Sequence, residues 1–305
     1  MLTSRSASPT SASSRSALSV WWSAVRPATL AASVAPVLAA TAIAVHDGGA
    51  RWGAGLAALL VAVSIQLGVN FANDYSDFVR GADRNRVGPV RAASSGVVRP
   101  EQVRAAAIVA FGVAGVVGLV LSLAVDVRLL LAGAACLLAG WLYTGGPRPY
   151  GYIGLGEVFV FIFFGLVATV GTYYVETGHV EAISVLVGCG MGFLATAILV
   201  LNNLRDIDTD AAAGKRTLAT RIGREQTRVL LLILVCAAFA VPIVLFVTRL
   251  APVSVMLVHF AIPIAALPVR TAFASSSPPA LVGALKRMAG AELAYALLLT
   301  LGVLL

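Results

Sequence analysis

Charge is what this sequence has least of. Only 12% of its 305 residues are charged, against 59% hydrophobic. A soluble domain of this length needs a far larger charged surface, so a water-soluble globular protein is excluded. Cysteine is scarce too. Cys136, Cys189 and Cys236 all fall inside apolar runs and lack metal-ligand spacing. That excludes a disulfide framework and a thiolate metal centre, and they read as small buried apolar residues. No acid precedes Asp47. The Gly214-Lys215 pair lacks the glycine spacing and the preceding strand of a P-loop.

What is present is a succession of apolar runs near the ~20 residues needed to cross a bilayer. They predict an all-α polytopic membrane protein of nine transmembrane helices, over 22–46, 54–79, 103–125, 128–144, 154–175, 180–202, 227–248, 252–269 and 285–305. With the N-terminus inside, 19 of the 22 Lys and Arg residues fall on inner segments, and only Arg51, Arg128 and Arg249 fall outside. The positive-inside rule then predicts a cytoplasmic N-terminus and an external C-terminus. The cations flank the membrane, so the net charge of +8 points to no nucleic-acid partner. Residues 1–19, rich in Ser, Ala and Arg, predict a disordered cytoplasmic tail. Residues 20–305 are then one transmembrane domain. No cleavable signal peptide is evident. Trp21 and Trp22 suit the headgroup level.

Two stretches carry the chemistry. The first is Asn70-Phe-Ala-Asn73-Asp74-Tyr-Ser-Asp77. Its echo, 132 positions later, is Asn202-Asn203-Leu-Arg205-Asp206-Ile-Asp208-Thr-Asp210. Each begins Asn-x-x-x-Asp and closes a long apolar run, and on a helix residues three or four apart share a face. Acids at the edge of an apolar helix are costly and normally face a cavity, a partner or a metal. Two like charges ~4 Å apart repel by ~4 kcal/mol at an effective dielectric of ~20. A divalent cation removes that repulsion, and all-oxygen donors favour magnesium or a similar hard ion. Lys215 and Arg216 directly follow the second acidic cluster, as a phosphate–metal site requires. In a transporter with duplicated halves, acids lie near the midplane on broken helices. These lie at cytoplasmic helix ends beside cations, which suits diphosphate.

Other segments suggest supporting roles. The loop from Phe78 to Arg104 is long and of mixed sign, with Arg80, Asp83, Arg84, Arg86 and Arg91. It reads as a cap over a charged substrate. Tyr143 to Tyr152, including Arg148, is a turn-rich aromatic loop. Two readings stand for Arg26, snorkelling to the interface or reaching the site. Two also stand for Glu157, complementing a helix N-terminus or contacting an acceptor hydroxyl. Val160 to Gly165 is either packing or a wall for a lipid tail. His259 and Glu292 read as satisfied packing residues, and His46 and His179 as outer-loop residues with no specific role.

These motifs resemble the UbiA superfamily of intramembrane aromatic prenyltransferases over nearly the whole chain beyond the tail. Asn70, Asn73, Asp74 and Asp77 look like the family's first Asp-rich motif. Asn202 to Asp210 with Gly214-Lys215-Arg216-Thr217-Leu218 look like the second. Arg26-Pro27-x-Thr29-Leu30, Tyr143-Thr144-Gly145-Gly146-Pro147 and Gly154-Leu155-Gly156-Glu157 resemble the branch whose acceptor is 1,4-dihydroxy-2-naphthoate. The resemblance implies transfer of an all-trans polyprenyl group from its diphosphate, with loss of CO2 and diphosphate, to give demethylmenaquinol for menaquinone biosynthesis at the cell membrane. A relative using another aromatic acceptor, such as 4-hydroxybenzoate, is the alternative. Magnesium would be held by Asp74, Asp77, Asp206 and Asp210. Asn70, Asn73, Asn202 and Asn203 would orient ligands, and Lys215, Arg216 and Arg205 would take charge on the leaving group. Tyr143 would steady an allylic cation. Arg26, Arg80, Asp83, Arg148 and Glu157 would line the substrates. One departure stands out: many relatives carry an acid four residues after the Asp77 equivalent, and here that position is Gly81, with the acid at Asp83.

Overall fold

The computed structural model describes residues 16–81, 91–146 and 149–305. Among them every regular element is helical. We number the helices α1 (Ala17–Val25), α2 (Pro27–His46), α3 (Trp52–Val79), α4 (Pro100–Val125), α5 (Leu129–Leu142), α6 (Gly156–Thr177), α7 (Ala182–Ala212), α8 (Leu218–Val247), α9 (Val253–Ala274) and α10 (Pro278–Leu304). Eight of them, α2 to α4 and α6 to α10, are long and apolar enough to cross a membrane.

Several sequence expectations change here. The expected first span, 22–46, is two helices, because Arg26 adopts the left-handed conformation (φ 52°, ψ 69°) and Pro27 starts a new helix. The tail expected over 1–19 gives way at Ser16, whose Oγ accepts from the Ser19 N–H and caps α1; residues 1–15 lie outside the described residues. The expected span 128–144 is a helix of 14 residues, about 21 Å at 1.5 Å per residue against a hydrocarbon core of ~30 Å. Elsewhere the helices outrun the expected spans. α7 continues past the expected end at Asn202 as far as Ala212, so the second acidic motif is helical, and the first lies wholly within α3.

α7 runs through the centre of the bundle against α2, α6, α8 and α10, while α3 pairs with α4. Small residues permit the closest crossing, as membrane helices require. Phe161–Val167 is a π-helical segment of α6. It brings Gly165 so near α7 that a Cβ there would lie 2.4 Å from the Gly192 Cα. At one end of the bundle Tyr173 donates to Asp47 at 2.6 Å and Tyr174 to Asp126 at 2.5 Å. At the other, Ser76 and Arg80 donate to the Thr144 carbonyl at 2.9 and 3.0 Å. His259 is a satisfied packing residue, its ring nitrogens 3.1 Å from the Met256 and Phe239 carbonyls. Glu292 departs from expectation: it is fully buried and neither carboxyl oxygen has a hydrogen-bond partner. Cys136 and Cys189 are half-buried and Cys236 is exposed on the apolar surface, all as free thiols.

Gly165→Val is expected to wedge α6 off α7, at a cost of about 1–3 kcal/mol. A lowered thermal midpoint in detergent is the readout; an unchanged midpoint would contradict the close crossing.

Candidate active site

The site forms where α3, α7 and two links converge. Asp77, in the last turn of α3, is 1% exposed. Its Oδ2 accepts from Arg91 at 2.9 Å, and its Oδ1 accepts from Tyr152 Oη at 2.7 Å and Lys215 Nζ at 3.0 Å. Lys215 also lies 3.7 Å from Asp210 and 4.5 Å from the centre of the Tyr152 ring. Gly214 provides the turn that aims it, at a φ of +74° that other residues rarely adopt. Burial alone would lower the Lys215 pKa, but Asp77, Tyr152 and Asp210 together hold it above its ordinary value. Burial, then the charge of Asp77, raises the Tyr152 phenol. Lys215 is therefore a cation and Tyr152 a neutral donor.

Two cavities meet here. The smaller, about 40 Å³, is polar and is lined by Asn73, Asp77, Arg91, Tyr143, Thr144, Tyr152, Asn202, Asn203, Asp206, Asp210 and Lys215, among others. The larger, about 270 Å³, is mainly apolar and is walled by residues such as Ile65, Val69, Leu121, Phe159, Phe163 and Phe164. Asn73, Tyr143 and Asn202 line both. One molecule with a charged head and an apolar tail can therefore occupy the two together.

The remaining expected residues divide. Asp206 and Asp210 face the polar cavity with Asn203. Arg26 lines the apolar cavity beside Thr29 and Asn70, which supports its second reading over snorkelling. Asn70 is committed to the chain: it donates to Val25 O at 2.9 Å and Thr29 Oγ1 at 3.0 Å and accepts from Gln66. Asp74 is fully buried and accepts from the Ala92 and Ala93 amides at 2.8 and 3.4 Å. Arg205 faces Asp206 and Asn202 rather than the cavity. Arg216 is exposed and outside it. Arg80 holds the loop through the Thr144 and Gly146 carbonyls. Glu157 is 7% exposed, and its Oε1 accepts from Asn203 Nδ2 at 2.9 Å. Asp83, Arg84, Arg86 and Arg148 lie outside the described residues.

The motifs predict acids gathered closely enough to share a metal. Among the described residues no three of the groups Asp, Glu, His or Cys are so gathered. Each carboxylate is met instead by a cation or an amide: Asp77 by Arg91 and Lys215, Asp206 by Arg205, Asp74 by two backbone N–H groups. The donor chemistry still fits a hard divalent ion, because Asp77, Asp206, Asp210, Asn73 and Asn203, which carry carboxylate and amide oxygens, line one cavity. Sequence reasoning placed Arg91 only in the cap loop and Tyr152 only in the turn-rich loop, and gave neither a contact in the site. Their signal was weak: a tyrosine in a turn-rich loop and one arginine among several.

Buried acids and cations at one end of an apolar helical bundle, opening into an apolar cavity, define an intramembrane site for an amphiphilic anion. The UbiA prenyltransferase family model matches residues 33–290, and the chain belongs to that family. It is 46% identical over 227 residues to the 1,4-dihydroxy-2-naphthoate octaprenyltransferase of Mycobacterium leprae (74% of this chain, 77% of the relative). It is 33% identical over 297 residues to the Haemophilus influenzae protein of the same name (94% and 96%). The fold is similar to that of a UbiA homolog from Archaeoglobus fulgidus bound to DMAPP and Mg2+, at 16% identity and a TM-score of 0.58 over 92% of this chain and 99% of that one. A UbiA homolog from Aeropyrum pernix K1 in the apo state gives 0.61 at 15% identity, over 93% and 97%.

A pKa raised in the fold means that the stability from the Lys215 charge is fully present below its ordinary value of 10.5, and is lost only as pH rises through the higher folded value. The difference in thermal midpoint between the wild type and Lys215→Met is therefore expected to stay constant from about pH 6 to about pH 9. A difference that faded across that range would show the amine neutral.

Proposed function

We propose that the protein transfers an all-trans polyprenyl group from its diphosphate to 1,4-dihydroxy-2-naphthoate, releasing CO2 and diphosphate and giving demethylmenaquinol for menaquinone biosynthesis. One observation carries this reading: relatives named for this transfer are 33–47% identical to a chain whose polar and apolar cavities share Asn73, Tyr143 and Asn202. Diphosphate fits the polar cavity and the prenyl chain the apolar one. α5 packs on α3 and α4 and makes little contact with α6, although both wall the apolar cavity. A tail longer than the cavity leaves sideways between them into lipid.

Lys215 stands ready to take negative charge as the C–O bond breaks and its electron pair passes to the diphosphate. Asn73, Asn202 and Asn203 orient the head group. Asp77, Asp206 and Asp210 would hold magnesium; Asp74 joins them only when the Ala92 and Ala93 amides leave it. Bound magnesium supplies the positive charge that makes diphosphate a better leaving group. The Tyr143 ring lies where head and tail meet and shields the allylic cation electrostatically. Membrane burial keeps water away. The ring carbon bearing the carboxylate then attacks, and loss of CO2 returns the electron pair that restores aromaticity. Arg26, in the apolar wall, would meet the acceptor carboxylate.

The same reading makes Leu129–Leu142 a ninth crossing, with the N-terminus and the site cytoplasmic and the C-terminus outside. Two observations support it. α5 connects the end of the bundle where Asp126 meets Tyr174 to the end where Thr144 meets Ser76 and Arg80. The basic residues also gather on the inner links.

Purified protein with magnesium, geranylgeranyl diphosphate and dihydroxynaphthoate is expected to give a prenylated, decarboxylated product by mass spectrometry. Product from 4-hydroxybenzoate alone would reassign the acceptor. Asp206→Ala is expected to abolish turnover while the protein still inserts in the membrane. Full retained activity would remove that residue from the metal set.

A further inference from the structure

Asn202 and Asn203 are adjacent on α7, and both reach the polar cavity. An asparagine amide has one donor end and one acceptor end, and its neighbours decide which way it points. Here the neighbours are charged and opposite. Arg205, which can only donate, gives Nη2 to the Asn202 Oδ1 at 2.8 Å. Glu157 accepts from the Asn203 Nδ2 at 2.9 Å. Asn202 is left with its N–H groups for the cavity, and Asn203 with its carbonyl oxygen.

Glu157 is kept there at a cost. It is 7% exposed, and its Oε2 is buried without a hydrogen-bond partner. A glutamate that only complements a helix N-terminus needs no burial, whereas a buried carboxyl with an unmet oxygen is expensive. The packing around it is close. A Cβ on Gly156 would lie 3.3 Å from Leu199, and the Thr196 hydroxyl is satisfied within its own helix by Gly192 O at 2.7 Å. The hydrogen bond that Glu157 makes through its side chain is the one from Asn203.

We propose that Glu157 and Arg205 are positioning residues that set this asparagine pair in opposite senses: Asn202 presents an N–H to a diphosphate oxygen, and Asn203 presents an oxygen to the divalent cation. The inference rests on the reading of the polar cavity as a diphosphate–metal site. It replaces the acceptor-contact role for Glu157 and the direct phosphate role for Arg205. Neither residue lines the cavity, and each acts through the asparagine it holds.

The test uses the full chain in detergent, with Mn2+ binding read by electron paramagnetic resonance and without prenyl substrate. Loss of a group that orients a metal ligand typically weakens affinity about 10–100-fold, and that loss is expected for Glu157→Leu and for Asn203→Leu. The double variant is expected to lose no more than either single, because the two act as one unit. Glu157→Gln keeps an acceptor oxygen and is expected to bind Mn2+ nearly as the wild type does. Asn202→Leu is expected to do the reverse: Mn2+ affinity unchanged, inorganic pyrophosphate bound about tenfold more weakly. Unchanged Mn2+ affinity in Asn203→Leu, or additive losses in the double variant, would overturn the proposal. If Glu157→Leu does not fold, Asn203→Leu and Asn202→Leu still decide it. A wild type that binds Mn2+ yet leaves dihydroxynaphthoate unprenylated would overturn the functional reading and not this one.

Discussion

The ionised carboxylate of Asp77, buried at the end of α3, holds the site together. A charge in that position is untenable unless it is paired and hydrogen-bonded. Its partners come from three other parts of the chain: Arg91 between α3 and α4, Tyr152 between α5 and α6, and Lys215 between α7 and α8. Removing one partner of a buried pair typically costs about 3–5 kcal/mol. Each link is thereby drawn to the tip of α3, and the polar cavity is what they enclose.

That cavity is small, and its placement gives it its use. It sits where helices end, and it opens past Asn73, Tyr143 and Asn202 into a larger apolar space among α2 to α7. A prenyl diphosphate has the same division, and so does the boundary between membrane and water. Cations beside the acids suit an anionic head. Aromatic and aliphatic walls suit a tail. The π-helical segment of α6 supplies Phe163 and Phe164 to the cavity wall while Gly165 rests on Gly192.

Much of the fold was legible. Long apolar runs leave a chain no soluble alternative, and their ends are marked by Pro, Gly and charge. Arg26 is instructive, because nothing local to an Arg-Pro pair requires a left-handed residue there; the break between α1 and α2 is held by Asn70, which donates to Val25 O. The run 128–144 was legible as a helix and read as a crossing, but its true length, the 14 residues of Leu129–Leu142, was not. In the site, the doubled Asn-x-x-x-Asp motif picked out Asp77, Asp206 and Asp210, which line the polar cavity. It could not say that Asp74 would be occupied by the Ala92 and Ala93 amides, that Arg205 would turn inward to Asn202 and Asp206, or that Arg216 would point away. Neighbours in sequence after a turn have no common direction.

Hydropathy and a period of 3.6 residues act over a few turns of chain. They were enough to dictate a helical, membrane-spanning protein, two acidic helix ends at one level, and cations beside them. Which acid meets which cation, the place of Tyr152 in the site, and the way the amides of Asn202 and Asn203 are turned were set only when the helices packed. Those choices are contacts between distant residues, Lys215 and Asp77 being 138 positions apart. They answer the demand that every buried charge find a partner, and no local pattern encodes that demand.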